Sequence, residues 1–281
     1  MRAQDIDFLI IGAAKSATTW LQTSLQADPA ISMPDPEIHY FSRYYDRGPD
    51  WYLTQFPVAD AVLRGEKSNS YLHEAVSAPR VHAMLPHARL VIQLRNPVER
   101  AYSDYCMLYR RGEVGSDICS HLKASPSGAN RFLDDGLYRR QIQAYLDLYP
   151  AERILVLLYE DMIRDPDAQL RRLRGFLGRP AEAAAPVSRT KVKDRAEPMI
   201  GPRLRRMMRP FKPIARPFRQ TSLFQATRSL VASEIRYPKL TSDLRNGLRD
   251  FYGPDVEDLG ALIQRDLSGW LAQSSISTPL A

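Results

Sequence analysis

The chain has 281 residues, 44% apolar and 25% charged, which fits one large α/β domain or two small ones and excludes a disordered chain, a coiled coil and a collagen. No apolar run reaches bilayer length, the longest being Phe8–Ala14, and no secretory cleavage pattern follows it, so neither a signal peptide nor a membrane anchor is expected. The net charge of +7 is concentrated: eight basic and no acidic residues lie between Pro198 and Ser233, a cationic segment that points to an anionic partner.

Asp7–Ile11 is a short run of mostly apolar residues ending at Gly12, the pattern of a buried parallel strand. Thr18–Ala27 follows as a helix, with Trp20, Leu21, Ser24 and Leu25 at helical spacing, and Asp28-Pro29 stops it. Arg89–Leu94 is a second buried strand. It runs into Asn96-Pro97-Val98-Glu99, where Asn96 is the expected N-cap, Pro97 suits the first helical position and Glu99 can close a capping box. That helix extends to about Arg111. Leu137–Leu148 is an amphipathic helix, Arg153–Tyr159 a third apolar strand, and Asp165-Pro166 opens a helix ending at Gly178. Pro198–Gln220 suits neither strand nor helix and is expected as loop with short helical pieces. Leu240–Phe251 and Val256–Trp270 are expected as two closing helices. Alternating strands and helices with crossover-length connections predict a single α/β domain: a central parallel sheet flanked by helices. The two cysteines, Cys106 and Cys119, make neither a disulfide framework nor a zinc motif, which favours a reducing cytoplasm.

The first loop, Gly12-Ala13-Ala14-Lys15-Ser16-Ala17-Thr18-Thr19, joins a strand to a helix. Its small residues allow close backbone approach, the first helical turn aims N–H groups into it, and Lys15, Ser16, Thr18 and Thr19 add a charge and hydroxyls. That is a phosphate cradle. The spacing is not that of a Walker loop, because no second Gly precedes Lys15. The second feature is Arg95 at a strand's carboxyl end, where open α/β sheets place ligands. Ser103 lies seven residues beyond Asn96 on the same helical face, so Arg95 and Ser103 can hold one anion together. A tight turn without a ligand and a surface ion pair are the plainer alternatives for the two features.

Together the loops resemble those of the sulfotransferases that use 3′-phosphoadenosine 5′-phosphosulfate (PAPS), most of all the carbohydrate branch of heparan sulfate sulfotransferases and their bacterial relatives. Lys15-Ser16-Ala17-Thr18-Thr19 stands for that family's Lys-x-Gly-Thr-Thr element, and Leu94 to Tyr105 matches its 3′-phosphate element without a gap. Pro36-Glu37-Ile38-His39-Tyr40-Phe41, Trp51-Tyr52, Gly65-Glu66-Lys67-Ser68-Asn69-Ser70-Tyr71, Leu157–Met162 and Phe176-Leu177-Gly178 extend the resemblance over a core of about residues 5–270. Ala17 stands where Gly is common, and Asn69 stands where the family pattern has Pro. Thr190–Arg195 only echoes the loop that closes over the nucleotide.

The resemblance implies a P-loop NTPase-like sulfotransferase fold and in-line transfer of a sulfuryl group from PAPS to a carbohydrate or glycoconjugate, with 3′-phosphoadenosine 5′-phosphate (PAP) as product. It implies that Lys15, Ser16, Ala17, Thr18, Thr19 and Trp20 bind the 5′-phosphosulfate side, Lys15 also stabilising the leaving phosphate. Arg95 and Ser103 would bind the 3′-phosphate, and Lys191 and Lys193 would belong to the closing loop. Glu37 is the implied general base, His39 its orienting partner or an acceptor contact, and Lys67 a contact to the sulfuryl group or to Glu37. No metal-ligand cluster is recognisable, so no catalytic metal is expected. The basic segment Arg203–Arg219 suits an anionic glycan or lipid headgroups, which would place a cytoplasmic enzyme against the inner membrane, or it is a solvated loop. No nucleic-acid-binding module accompanies it. The competing readings are a sulfotransferase for a small-molecule alcohol, a P-loop nucleotide kinase and a non-catalytic nucleotide binder.

Overall fold

The computed structural model describes residues 1–58, 61–124, 130–180, 199–200, 232–233 and 235–272. In chain order, β1 (Phe8–Gly12) leads through the first loop to α1 (Thr18–Gln26), then β2 (Ile31–Ser32), α2 (Tyr40–Arg43), α3 (Gly48–Thr54) and β3 (Leu63–Lys67). There follow α4 (Ser77–Met84), β4 (Arg89–Leu94), α5 (Pro97–Arg110), α6 (Cys119–Leu122), α7 (Arg131–Asp134) and α8 (Tyr138–Leu146). Next come β5 (Ile154–Leu158), α9 (Tyr159–Arg164) and α10 (Pro166–Phe176). A short antiparallel pair, β6 (Met199–Ile200) with β7 (Ala232–Ser233), precedes α11 (Ser242–Ile263) and α12 (Ser268–Leu271).

β1 to β5 form one parallel sheet in the order β2-β3-β1-β4-β5. Its side chains alternate between two cores, as the period of two requires. Leu9, Ile11, Leu90, Ile92 and Leu94 belong to one core, with Tyr105 of α5, Ile142 of α8 and Leu248 of α11. Phe8, Ile10, Val91 and Leu157 belong to the other, with Leu21 and Leu25 of α1 and Leu170 and Leu173 of α10. The expected parallel sheet covered on both faces is therefore present.

The expected strands β1, β4 and β5 stand within a residue or two of their sequence positions. β3 has no apolar run to announce it. Its Glu66 and Lys67 are buried, and Gly65 is required because a Cβ there would lie 2.5 Å from the Phe8 ring. At the edge of the second core, Asp28 pairs with Arg174, both almost fully buried.

Three expectations are corrected. The two closing helices are one long helix, α11, with Pro254 inside it, followed by the single turn α12. Leu244, Leu248, Tyr252, Val256 and Leu259 form one buried stripe across the proline, and that burial outweighs its lost hydrogen bond. Asn96 does cap α5, accepting from Val98 N at 3.0 Å, but Glu99 does not close a box. Its carboxylate pairs with Arg245 of α11, and Glu160 takes the Asn96 N–H at 2.9 Å instead. Of Pro198–Gln220, expected as loop with helical pieces, only Met199–Ile200 is described, and it is strand. Lys191, Lys193 and Arg203–Arg219 lie outside the described residues.

Candidate active site

All five strand ends contribute to one edge of the sheet, the edge where parallel α/β sheets bind ligands. β1 delivers the phosphate-type loop. Lys15 and Ala17 both take left-handed backbone, at φ 70° and 62°, and Ala17 is the N-cap of α1. A residue with a Cβ is strained there, which is the physical reason glycine suits the position. The turn is clasped from beneath: Ala13 N donates to Gln93 O at 2.8 Å, and Gln93 Nε2 donates to Ser16 O. Thr18 and Thr19 begin α1, so their N–H groups have no intrahelical acceptor and face the loop's mouth.

Ser16 is one of the expected hydroxyl donors of the loop. Its side chain is fully buried and its N–H donates to Ala13 O at 3.3 Å. Trp20 is half-buried and packs against the second core.

β4 delivers Arg95, 7% exposed. Its guanidinium donates to Lys15 O at 3.2 Å and lies 4.5 Å from the centre of the Tyr159 ring, supplied by the end of β5. The arginine is therefore held against the loop before any ligand arrives. Lys15 Nζ lies 3.3 Å from Met107 Sδ on α5, a weak acceptor that an anionic oxygen would displace. Met107 is one turn beyond Ser103 on the same face of α5.

β3 and the segment after β2 deliver the second half of the site. Lys67 Nζ is 2.7 Å from Glu37 Oε1 and donates to Thr19 Oγ1 at 3.3 Å. Asn69, on the turn after β3, donates its main-chain N–H to Glu37 Oε2 at 3.1 Å and its side-chain amide to Oε1 at 3.2 Å. His39 Nε2 faces Glu37 Oε2 at 3.4 Å. His39 Nδ1 is 2.7 Å from Ser70 Oγ, which is 2.7 Å from Ser42 Oγ. Burial pulls the His39 pKa down and outweighs the opposing pull of Glu37, so the ring is neutral at neutral pH. The carboxylate accepts only, which favours the Nε2–H tautomer and leaves Nδ1 to accept from Ser70.

Beneath this layer lies Glu66, fully buried. It accepts from Tyr52 at 3.0 Å, Tyr71 at 2.7 Å and Ser68 at 2.7 Å. Burial pushes its carboxyl up to about 7 against the pull of these hydroxyls. Ser68 Oγ also accepts His39 N at 2.8 Å, so the buried acid fixes the chain that carries the His39 ring.

Of the residues singled out in the sequence, Glu37, His39, Lys67 and Thr19 form one connected cluster, and Lys15 and Arg95 join it through the loop. Asn69, Ser70, Ser42 and Tyr159 complete the site without having been singled out for it. Asn69 carried a signal, as the residue standing where the family pattern has Pro. Ser68 and Ser70 lie in the stretch that extends the resemblance but had no role assigned, and Ser42 carried no signal.

The donor set is chemically suited to a polyanion: two cations, Lys15 and Arg95, beside a helix N-terminus with two threonines, and no carboxylate among them. Among the described residues no group of three or more His, Cys, Asp or Glu side chains is arranged to hold a metal ion.

Residues 5–194 match the family model described as the sulfotransferase domain. The chain is 34% identical over 191 residues to human bifunctional heparan sulfate N-deacetylase/N-sulfotransferase 2, covering 61% of this chain and 22% of that protein. It is 30% identical over 175 residues to human heparan sulfate glucosamine 3-O-sulfotransferase 6, covering 60% of this chain and 51% of that protein. The chain thus spans about half or less of these relatives. Among solved structures it is similar to a sulfotransferase from Alicyclobacillus acidocaldarius, with TM-score 0.71, 26% identity, and coverage of 95% of this chain and 99% of that one.

Proposed function

The chain belongs to the sulfotransferase family, and we propose that it transfers a sulfuryl group from PAPS to a hydroxyl of a carbohydrate or glycoconjugate, with an amine as the second acceptor type. PAPS supplies the activated sulfuryl group and departs as PAP. In this reading the α1 N-terminus, Thr18 and Thr19 bind the 5′-phosphate, and Lys15 neutralises charge that builds on it as the S–O bond breaks. Arg95 and Ser103 bind the 3′-phosphate, the group that separates PAPS from ATP. Glu37 takes the proton of the acceptor hydroxyl as the new O–S bond forms, a step worth on the order of 10²–10⁴ in rate. His39 holds Glu37 from the side opposite Lys67.

The observation that carries this reading is the place of Lys67. One ammonium reaches both the carboxylate proposed as base and Thr19 of the phosphate loop, so the base stands next to where the transferred group would sit. The named activities of the similar human proteins support a glucosamine-containing acceptor. Sulfate transfer from labelled PAPS to heparosan oligosaccharides tests the proposal, with simple alcohols as the competing acceptors. Transfer to the sugar, abolished in Glu37→Gln with PAP binding intact, is the expected result. Transfer to the alcohols alone would move the acceptor to the small-molecule class, and full turnover by Glu37→Gln would remove the base.

A further inference from the structure

We propose that Asn69 is a positioning residue for Glu37, clamping both carboxylate oxygens with its main-chain N–H and its side-chain amide. This rests on the reading of Glu37 as the base and adds to it the group that sets its orientation.

Glu37 sits on a segment with neither helix nor strand, between β2 and α2, so its backbone alone does not fix its side chain. The terminal torsion of a glutamate is broad and nearly two-fold, so the plane of the carboxylate must be set by its partners. Lys67 is a point charge on a flexible stem and sets distance more than orientation. His39 at 3.4 Å is the longest of the contacts. Asn69 is different. Its two donors end on different oxygens, at 3.1 Å and 3.2 Å, and a two-point contact fixes the plane.

The clamp is itself anchored. Ser68 N donates to Ile10 O at 3.0 Å, Tyr71 N to Ser68 O at 3.1 Å and Leu72 N to Ile11 O at 2.9 Å. The turn carrying Asn69 is thus tied to β1, the strand that also delivers the phosphate loop. Base and loop share one rigid support through this residue. A proline at the position has no N–H and no amide, and offers neither contact.

The test has two arms, both on the full chain. In the first, Asn69→Ala and Asn69→Pro are assayed with PAPS and a heparosan hexasaccharide, with PAP affinity measured alongside. Asn69→Ala, which keeps the main-chain donor, should lower kcat about 3–10-fold, and Asn69→Pro about 10–100-fold, with acceptor KM and PAP affinity within about twofold. In the second, amide spectra of ¹⁵N-labelled native protein and Glu37→Gln are compared, which needs no acceptor. The main-chain and side-chain amide signals of Asn69 should both move when Glu37 loses its charge. Unmoved Asn69 signals overturn the clamp, as does kcat within twofold of native in both Asn69 variants, or a parallel loss of PAP affinity. Full turnover by Glu37→Gln would instead remove the base reading, and the spectra would still report whether Asn69 holds Glu37.

Discussion

Lys67 Nζ lies 2.7 Å from Glu37 Oε1, although the two residues come from different strand ends of the sheet. Both are largely shielded from solvent, so the attraction is weakly screened and the pair is sensitive to loss of either member. Lys67→Met keeps the stem and removes the charge. It should lower kcat by about 10²–10³ while PAP affinity changes less than tenfold, read by sulfate transfer and calorimetry. Equal losses in both would make Lys67 a donor-binding residue only.

Ala17 holds a left-handed conformation at the N-cap of α1, with φ 62° and ψ 29°. Ala17→Gly relieves that strain but loosens the unfolded chain. The net effect should be a gain of about 0.5–1 kcal/mol in denaturant unfolding, with PAP affinity retained. A loss of stability would mean that the loop relies on the Ala17 methyl.

Glu66 gives the protein a pH-dependent element of stability. Its carboxyl is raised from 4.5 to about 7 by burial, so the folded protein binds this proton more tightly than the unfolded chain. Its contribution is fully present below about pH 4.5 and is lost as pH rises through about 7. The native protein should therefore lose stability relative to Glu66→Gln between pH 5 and pH 8, by up to about 3 kcal/mol. Urea unfolding of both proteins across that range decides it, and parallel curves would contradict it.

Much of the architecture was readable because β1, β4 and β5 are apolar runs and α5 and α10 carry N-caps. β3 was not, because burial of Glu66 and Lys67 is made tolerable by partners distant in sequence: Tyr52, Ser68 and Tyr71 for one, Glu37 and Thr19 for the other. Period and hydrophobicity carry no trace of such pairing. The same limit explains Glu99, whose partner Arg245 lies on α11. At the site, the chemistry of the two loops pointed to Lys15 and Arg95 and the family resemblance to Glu37 and Lys67, whereas Asn69 and Tyr159 acquire their parts only when strand ends meet in space.

The buried pair Asp28–Arg174 joins the turn after α1 to α10. Asp28→Ala leaves a buried guanidinium without its charge partner. It should destabilise the protein by about 3–5 kcal/mol while sparing the affinity for PAP of whatever fraction remains folded. A change under about 1 kcal/mol would show that the site relaxes to let water reach Arg174.

The proposed donor site, formed by the loop and Arg95 together, takes a nucleotide phosphorylated at both 3′ and 5′ positions. Calorimetric titration of native protein and Arg95→Ala with PAP, 5′-AMP and ATP tests it most directly. Native protein should prefer PAP by about 10²-fold or more, without magnesium, and Arg95→Ala should bind PAP and 5′-AMP alike. Equal affinity of native protein for all three, or tighter ATP binding that requires magnesium, would contradict it.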